Sequence, residues 1–348
     1  MKSIDIQQLV RENVKRLKPY SSARDEFQGQ EASVFLDANE NPFPTDYNRY
    51  PDPHQRELKN ALSRIKGISV EQIFLGNGSD EPIDLLFRAF CEPGKSNVVI
   101  PQPTYGMYAV SANINDVAIQ SVLLTRDFDV DVDAIRGAIN EQTRLVFLCS
   151  PNNPTGNRLS GEKIERILNE FNGLVVIDEA YIDFMDDRGF VPALSRHQNL
   201  VVLQTLSKAW GLASIRLGMC FANPEVIATL NKIKPPYNIS HLTQQTALSY
   251  LSDSKRKDDW VSLIKNERQR VSLELRRLPL IQKIFPSEAN FLLVQVAQPK
   301  AVYDQLVARG IVVRDRSQVP LCEGCLRITI GTPEENTTLL TTLQQLST

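Results

Sequence analysis

Hydrophobic positions along this chain fall into two patterns that alternate. From about residue 60 onward, short continuous apolar runs recur between stretches of helical periodicity: SNVVIP (96–101), VAIQSVLL (117–124), RLVFLCS (144–150), GLVVID (173–178), NLVVLQT (199–205) and IRLGMCF (215–221). Runs of this length without polar alternation suit strands buried on both faces, so the expected fold class is α/β, with a mostly parallel sheet wrapped by helices. After about residue 255 the pattern changes. A polar helical stretch, DSKRKDDWVSLIKNERQRVSLEL, leads into NFLLVQV, a helix around residues 300–309, then IVVRD, LRITIG and a final helix, which predicts a smaller α+β domain. At the other end, Ile6, Leu9, Val10 and Leu17 fall near one helical face and predict a short amphipathic arm, followed by the proline-rich loop NENPFPTDYNRYPDP.

Composition narrows the function classes. With 348 residues the chain has length for about two domains, and 42% apolar and 23% charged residues at a net charge of -2 describe an ordinary globular protein. There is no basic excess to suggest nucleic acid as a partner. The N-terminal stretch MKSIDIQQLVRENVKRLKPY holds no apolar run long enough for a signal peptide or a membrane span, which points to the cytoplasm. Five cysteines, Cys91, Cys149, Cys220, Cys322 and Cys325, mostly sit in apolar runs and are odd in number, so free thiols are expected.

The candidate chemistry gathers where apolar runs end. In VVLQTLSKAWGLASIRLG a strand is followed at once by Ser207 and Lys208, with Arg216 eight residues further on. Ligands in α/β sheets bind outside the carboxyl ends of strands, and a partly desolvated lysine near other cations can serve as a Schiff-base nucleophile. Taken alone, Lys208 favours the plainer reading of a solvated loop lysine over that chemistry. In GLVVIDEAY, Asp178 ends another apolar strand, with Tyr181 just beyond. A buried acid needs a cationic partner, and a protonated pyridine nitrogen is one, though capping a helix or pairing with an arginine would also serve. CSPNNPTGN follows a third apolar run and, by itself, is simply a turn composition. In FLGNGSDEPIDLLFRAF a glycine-rich turn precedes a helix with Pro82 in its first turn, which suits a phosphate at the helix N-terminus. Its spacing is neither GxGxxG nor a Walker motif, so nicotinamide and ATP chemistry lose support.

In combination, SPNNPTG, IDEAY and LSKAWGLASIRLG, in this order and at these separations, resemble the fold-type I pyridoxal 5'-phosphate (PLP) aminotransferases of the aspartate aminotransferase superfamily. The likeness spans nearly the whole chain. Asn39-Glu40-Asn41-Pro42, Tyr50-Pro51-Asp52, GNGSDE, Pro235-Pro236-Tyr237-Asn238 and CLRITIGTPEEN make it similar to the histidinol-phosphate aminotransferase branch. The resemblance implies a large domain over residues 36–255 with a seven-stranded, mostly parallel sheet, and a small domain over 256–348. It also implies an arm over 1–35 that contributes to the small domain and to a homodimer. Lys208 would bind the cofactor as a Schiff base and shuttle the proton, Asp178 would pair with the pyridine nitrogen, and Asn153 and Tyr181 would hydrogen-bond the phenolic oxygen. Tyr105 would stack on the ring, while Ser79, Asp80, Ser207 and Arg216 would hold the phosphate together with Tyr50 from the partner subunit. No metal is implied.

The implied reaction is transamination of L-histidinol phosphate with 2-oxoglutarate, giving imidazole acetol phosphate and glutamate in histidine biosynthesis. One pocket must then accept a phosphate and a carboxylate, and arginine forks suit both. Arg314 and Arg327 match the family's anion positions, Tyr20 its substrate-phosphate tyrosine, and Asn39 would lie beside the substrate. Arg316 reads as a bystander in a surface ion pair, a reading that stays open for Arg314 too. The chain departs from the family in Ser214, where glycine is common before the phosphate arginine, and in TYGMY, where proline commonly follows the tyrosine. Cys322-Glu323-Gly324-Cys325 is a lone CxxC that reads as a turn into the LRITIG strand rather than half of a zinc site. Three other readings compete: a phosphothreonine decarboxylase of the cobalamin-pathway type, an aromatic amino acid aminotransferase, and a noncatalytic regulatory protein on the same scaffold. The last usually carries an added DNA-binding segment, for which the short, non-basic N-terminus leaves no room.

Overall fold

The computed structural model describes residues 4–20 and 34–347. Seven strands build the large sheet: β1 (Ile73–Asn77), β2 (Asn97–Gln102), β3 (Ala118–Leu123), β4 (Thr143–Cys149), β5 (Leu174–Asp178), β6 (Leu200–Thr205) and β7 (Leu217–Ala222). Their order is β1-β7-β6-β5-β4-β2-β3, antiparallel only where β7 meets β1 and β6. All six runs named from the sequence are strands. The side chains divide with period two: along β5, Val175 and Ile177 face one core layer, Leu174 and Val176 the other, and all four are fully buried. Burying each contributes about 1.5–3 kcal/mol, more than the roughly 1 kcal/mol span of intrinsic strand propensity, so two-sided burial fixes these segments as strands.

Two expectations need correction. VAIQSVLL is not buried on both faces: β3 is the sheet edge, with its residues partly or fully exposed. The arm is not one helix but two short ones, Ile6–Leu9 and Glu12–Arg16, separated where Val10 turns to extended backbone. Its buried set is Ile6, Val10 and Val14, spaced by four, whereas Leu17 lies exposed. These three join the core layer over the large sheet, so the expected contribution to the small domain is not seen among residues 4–20.

The second sheet is antiparallel, in the order β10-β11-β9-β8, from β8 (Ile281–Ile284), β9 (Phe291–Val296), β10 (Arg314–Asp315) and β11 (Cys325–Thr329). Helices Ser254–Leu275, Pro299–Ala308 and Pro333–Leu346 cover it around Val271, Leu275, Leu306 and Leu343. The last helix begins with a capping box, Thr332 and Glu335 each satisfying the other's backbone N–H. All five cysteines are free and buried, and Cys325 N–H donates to the Cys322 carbonyl in the turn that opens β11. Among the described residues no helix is long and apolar enough to cross a membrane.

Because β7 runs against both neighbours, the carboxyl ends of β1, β2, β4, β5 and β6 point to one edge of the large sheet. The loops bearing the sequence motifs leave from that edge.

Candidate active site

A cavity of about 680 Å³ lies at this edge, walled by the strand ends on one side and by β10 and β11 on the other. Ser79, Asp80, Tyr105, Asn153, Asp178, Tyr181, Ser207, Lys208, Arg216, Arg314 and Arg327 all line it. Eleven of the residues singled out in the sequence thus meet in one place, although they are spread from position 79 to 327.

Asp178 closes the floor. It is 3% exposed, its Oδ2 accepts from the Tyr108 hydroxyl at 2.6 Å and its Oδ1 from the Ala180 N–H at 3.0 Å. Burial holds its pKa above the ordinary aspartate value against both bonds. Among the described residues no cation lies within ion-pair distance, so a buried carboxylate faces the cavity with hydrogen bonds but without a counter-charge. Tyr108 was not foreseen. Its ring stacks on Phe147 at 4.8 Å, which presents its hydroxyl to Asp178, and the only sequence signal was a second aromatic three residues after Tyr105.

Lys208 follows β6 and lines the cavity, its ammonium 5.6 Å from the centre of the Tyr181 ring. Solvent reaches the side chain, yet protein surrounds the ammonium enough that burial, and then the positive charge of Arg327, lower its pKa. Tyr181 is buried edge-on against Phe291, and burial raises its pKa. Asn153 accepts from Arg327 through Oδ1, which leaves its amide NH2 group to donate.

The opposite end is an anion cradle. Ser79 and Asp80 begin the helix Asp80–Phe90, whose free N–H groups and dipole favour negative charge. Ser207 Oγ lies 3.0 Å from Thr205 Oγ1, another residue the sequence did not single out. Arg216 adopts the left-handed backbone conformation; its carbonyl accepts from Gly78 N–H at 2.7 Å and its guanidinium lies 3.5 Å from Asp80. Two glycines allow this. Gly78 has φ +75°, and a Cβ there would come within 2.5 Å of the Arg216 guanidinium; a Cβ on Gly218 would press on the Ser79 backbone. Asn238 of the PPYN segment ties the same turn down, donating to the Leu75 carbonyl and the Glu81 carboxylate.

The facing wall carries arginines. Arg314 on β10 pairs in register with Arg327 on β11, so both side chains share one face of the small sheet. Arg316, expected as a surface bystander, also lines the cavity, with a buried Nε that has no hydrogen-bond partner. Continuing the extended chain from Arg314 by two residues brings it to the same face, while Asp315 between them turns away to accept from Ser317 N–H.

Three predicted residues stand outside the cavity of their own chain. Asn39 and Tyr50 lie on the exposed segment before the helix Arg56–Lys66, beside a separate cleft where Tyr50 stacks on Tyr237 at 4.5 Å. Tyr20 is 75% exposed at the end of the first described segment. Glu40 organises the Asn39 loop, bonding Arg49 and the Tyr50 N–H at 2.7 Å each.

The fold and this lysine-centred pocket define a class, and the family model for class I and II aminotransferases matches residues 33–343. The histidinol-phosphate aminotransferase of Cytophaga hutchinsonii is 56% identical over 346 residues, covering 98% of this chain and 99% of that one. Among solved structures, the histidinol-phosphate aminotransferase of Clostridium acetobutylicum superposes with a TM-score of 0.80 at 26% identity, covering 87% of this chain and 91% of that one. The enzyme of the same name from Sinorhizobium meliloti, solved in complex with pyridoxal 5'-phosphate, gives 0.78 at 26% identity, covering 86% and 82%. The chain belongs to the class I and II aminotransferases and, within them, to the histidinol-phosphate aminotransferase family.

Proposed function

We propose that the protein uses PLP to move the amino group of L-histidinol phosphate to 2-oxoglutarate. The observation that carries this is the opposition, across one cavity, of two anion sites with Lys208 between them: the Ser79–Ser207–Arg216 cradle and the arginine face of β10 and β11. The residues fit PLP chemically. The cradle suits the cofactor phosphate, the uncompensated Asp178 carboxylate suits a protonated ring nitrogen, and the Asn153 amide and Tyr181 hydroxyl are donors for a phenolate. When bound, PLP supplies an electron sink that weakens the C–H bond at the amine-bearing carbon.

The chain's own groups supply the rest. Lys208 Nζ, with its lowered pKa, is free amine in larger proportion at neutral pH than an ordinary lysine, so it can accept that proton and return it. Asp178 keeps the ring nitrogen protonated, held in place by Tyr108 and the Ala180 N–H. Arg314 and Arg327 bind and orient the substrate anion. The exposed aromatics Phe43, Tyr47 and Tyr50 support pairing of two chains, with Tyr50 completing the partner's phosphate cradle.

The decisive assay compares glutamate formed from histidinol phosphate and 2-oxoglutarate with glutamate formed from phenylalanine, and with carbon dioxide released from phosphothreonine. Histidinol phosphate should be the best substrate by kcat/KM, and borohydride should fix the cofactor on Lys208 in a tryptic peptide. Carbon dioxide release without amino transfer, or fixation elsewhere, would overturn the reading.

A further inference from the structure

We propose that Arg316 is a specificity-determining residue that reads the phosphate of the amino donor and is used less by the carboxylate co-substrate. The inference deepens the function proposed above and rests on it.

Three observations converge on Arg316. It lines the cavity that holds Lys208, on the same face of the small sheet as Arg314 and Arg327. Its Nε is buried with no hydrogen-bond partner, and no carboxylate lies within ion-pair distance of it among the described residues. Its backbone is fixed: its N–H donates to the Cys325 carbonyl at 2.9 Å and its carbonyl accepts from Val319 N–H at 2.9 Å, so the side chain leaves a braced position. A half-buried guanidinium without a counter-anion costs stability, and such groups persist where a ligand completes them. Burial, and then the charge of Arg314, lower its pKa, as expected of cations held close together without an anion between them.

The three arginines are not equivalent. Arg327 is the inner one, bonded to Asn153 and, of the three, the one whose charge most depresses the Lys208 ammonium. It is therefore nearest the carbon that exchanges the amine. An α-carboxylate is attached directly to that carbon. The phosphate of histidinol phosphate stands one methylene and one ester oxygen further out and carries a second negative charge. A short anion is served by Arg327 with Arg314, whereas the longer dianion reaches the unpaired donors of Arg316, which a carboxylate leaves unmet.

The test uses the PLP-loaded enzyme and compares Arg316→Gln and Arg316→Lys with the unsubstituted protein in the two half-reactions. One charge-assisted contact corresponds to a loss on the order of 10- to 100-fold. In Arg316→Gln the loss in kcat/KM on histidinol phosphate should exceed the loss on glutamate by at least about tenfold. It should appear chiefly in KM, with partial recovery in Arg316→Lys. Inorganic phosphate, titrated by calorimetry into the loaded enzyme, should bind more weakly to Arg316→Gln. Equal losses on both substrates would mark a structural role and overturn the proposal, as would unchanged phosphate affinity. If the unsubstituted enzyme transfers no amino group from histidinol phosphate, the proposed function falls instead, and the phosphate titration alone decides the role of Arg316.

Discussion

Replacing Gly78 with alanine tests the anion cradle through a single methyl group. The residue has φ +75°, where a Cβ costs about 1–2 kcal/mol, and that Cβ would lie 2.5 Å from the Arg216 Nη2 and 3.2 Å from its Cζ. The contact is with the far end of a flexible side chain, so the guanidinium moves rather than the sheet. Moving it breaks the bond from Nη1 to the Ala213 carbonyl, 3.2 Å long, and separates Arg216 from Asp80. The fold should survive with a modest loss of stability. The cradle loses the guanidinium of Arg216, and a hydrogen bond to a charged group is worth about 1.5–3 kcal/mol, so PLP should bind on the order of 10- to 100-fold more weakly. Titration of the cofactor-free protein with PLP, followed by visible absorbance, reads the affinity, and circular dichroism checks the fold. Gly218→Ala is the contrasting case: its Cβ would strike the Ser79 backbone, so that variant should fail in folding rather than in affinity alone. A folded Gly78→Ala protein that binds PLP within about threefold of the parent would refute the assignment of Arg216 to the phosphate.

Two further outcomes follow from buried carboxylates. Asp178 has a raised pKa in the folded chain, so the unfolded chain ionises first: the cofactor-free fold loses stability as pH rises from the unfolded value to the folded one, stays weakened above it, and is unaffected below the unfolded value. Asp178→Asn should therefore unfold at higher denaturant than the parent at neutral pH, with the difference closing toward pH 4, while losing most of its activity. A less stable variant at neutral pH would show that Asp178 is a structural asset and not a cofactor contact. Glu179 is buried between the Phe190 N–H and Gln204, and burial raises its pKa to about 7. Its fold-weakening charge appears as pH rises from about 4.5 to about 7, a range corresponding to roughly 3 kcal/mol. Glu179→Gln can keep both partners once the Gln204 amide turns to accept through its unpaired Oε1, and denaturation from pH 4 to 8 should show this slope removed.

The sheet was readable because a strand buried on both faces is apolar along its length, as in residues 174–177 of β5. β1 escaped that reading because Gly76 and Asn77 end it and belong equally to a turn composition. β3 was readable as a strand but not as an edge, since which neighbours it gains depends on the order of the other strands. In the site, Lys208, Asp178 and Arg216 were found because each stands directly beside a strand end. Tyr108 could not be assigned the same way. It acts on Asp178 across 70 positions, a contact made only by the packing of its helix against the sheet. Arg316 was misread for a related reason: its direction is set by the pairing of Arg314 with Arg327, and register is a property of two strands.

The cofactor cradle and the arginine wall belong to different sheets. The cradle is welded to the most deeply buried strands, where a change in backbone is felt throughout the core. The outer part of the wall hangs on a two-residue strand and the short turn after it, at Arg314, Asp315 and Arg316, while Arg327 stands on the interior strand β11. A lineage can therefore revise which anion this scaffold accepts by editing a few positions of one loop, leaving the chemistry of Lys208 in place. Ancestral substitutions that altered donor choice should then lie between residues 314 and 327, while the strand ends stay silent.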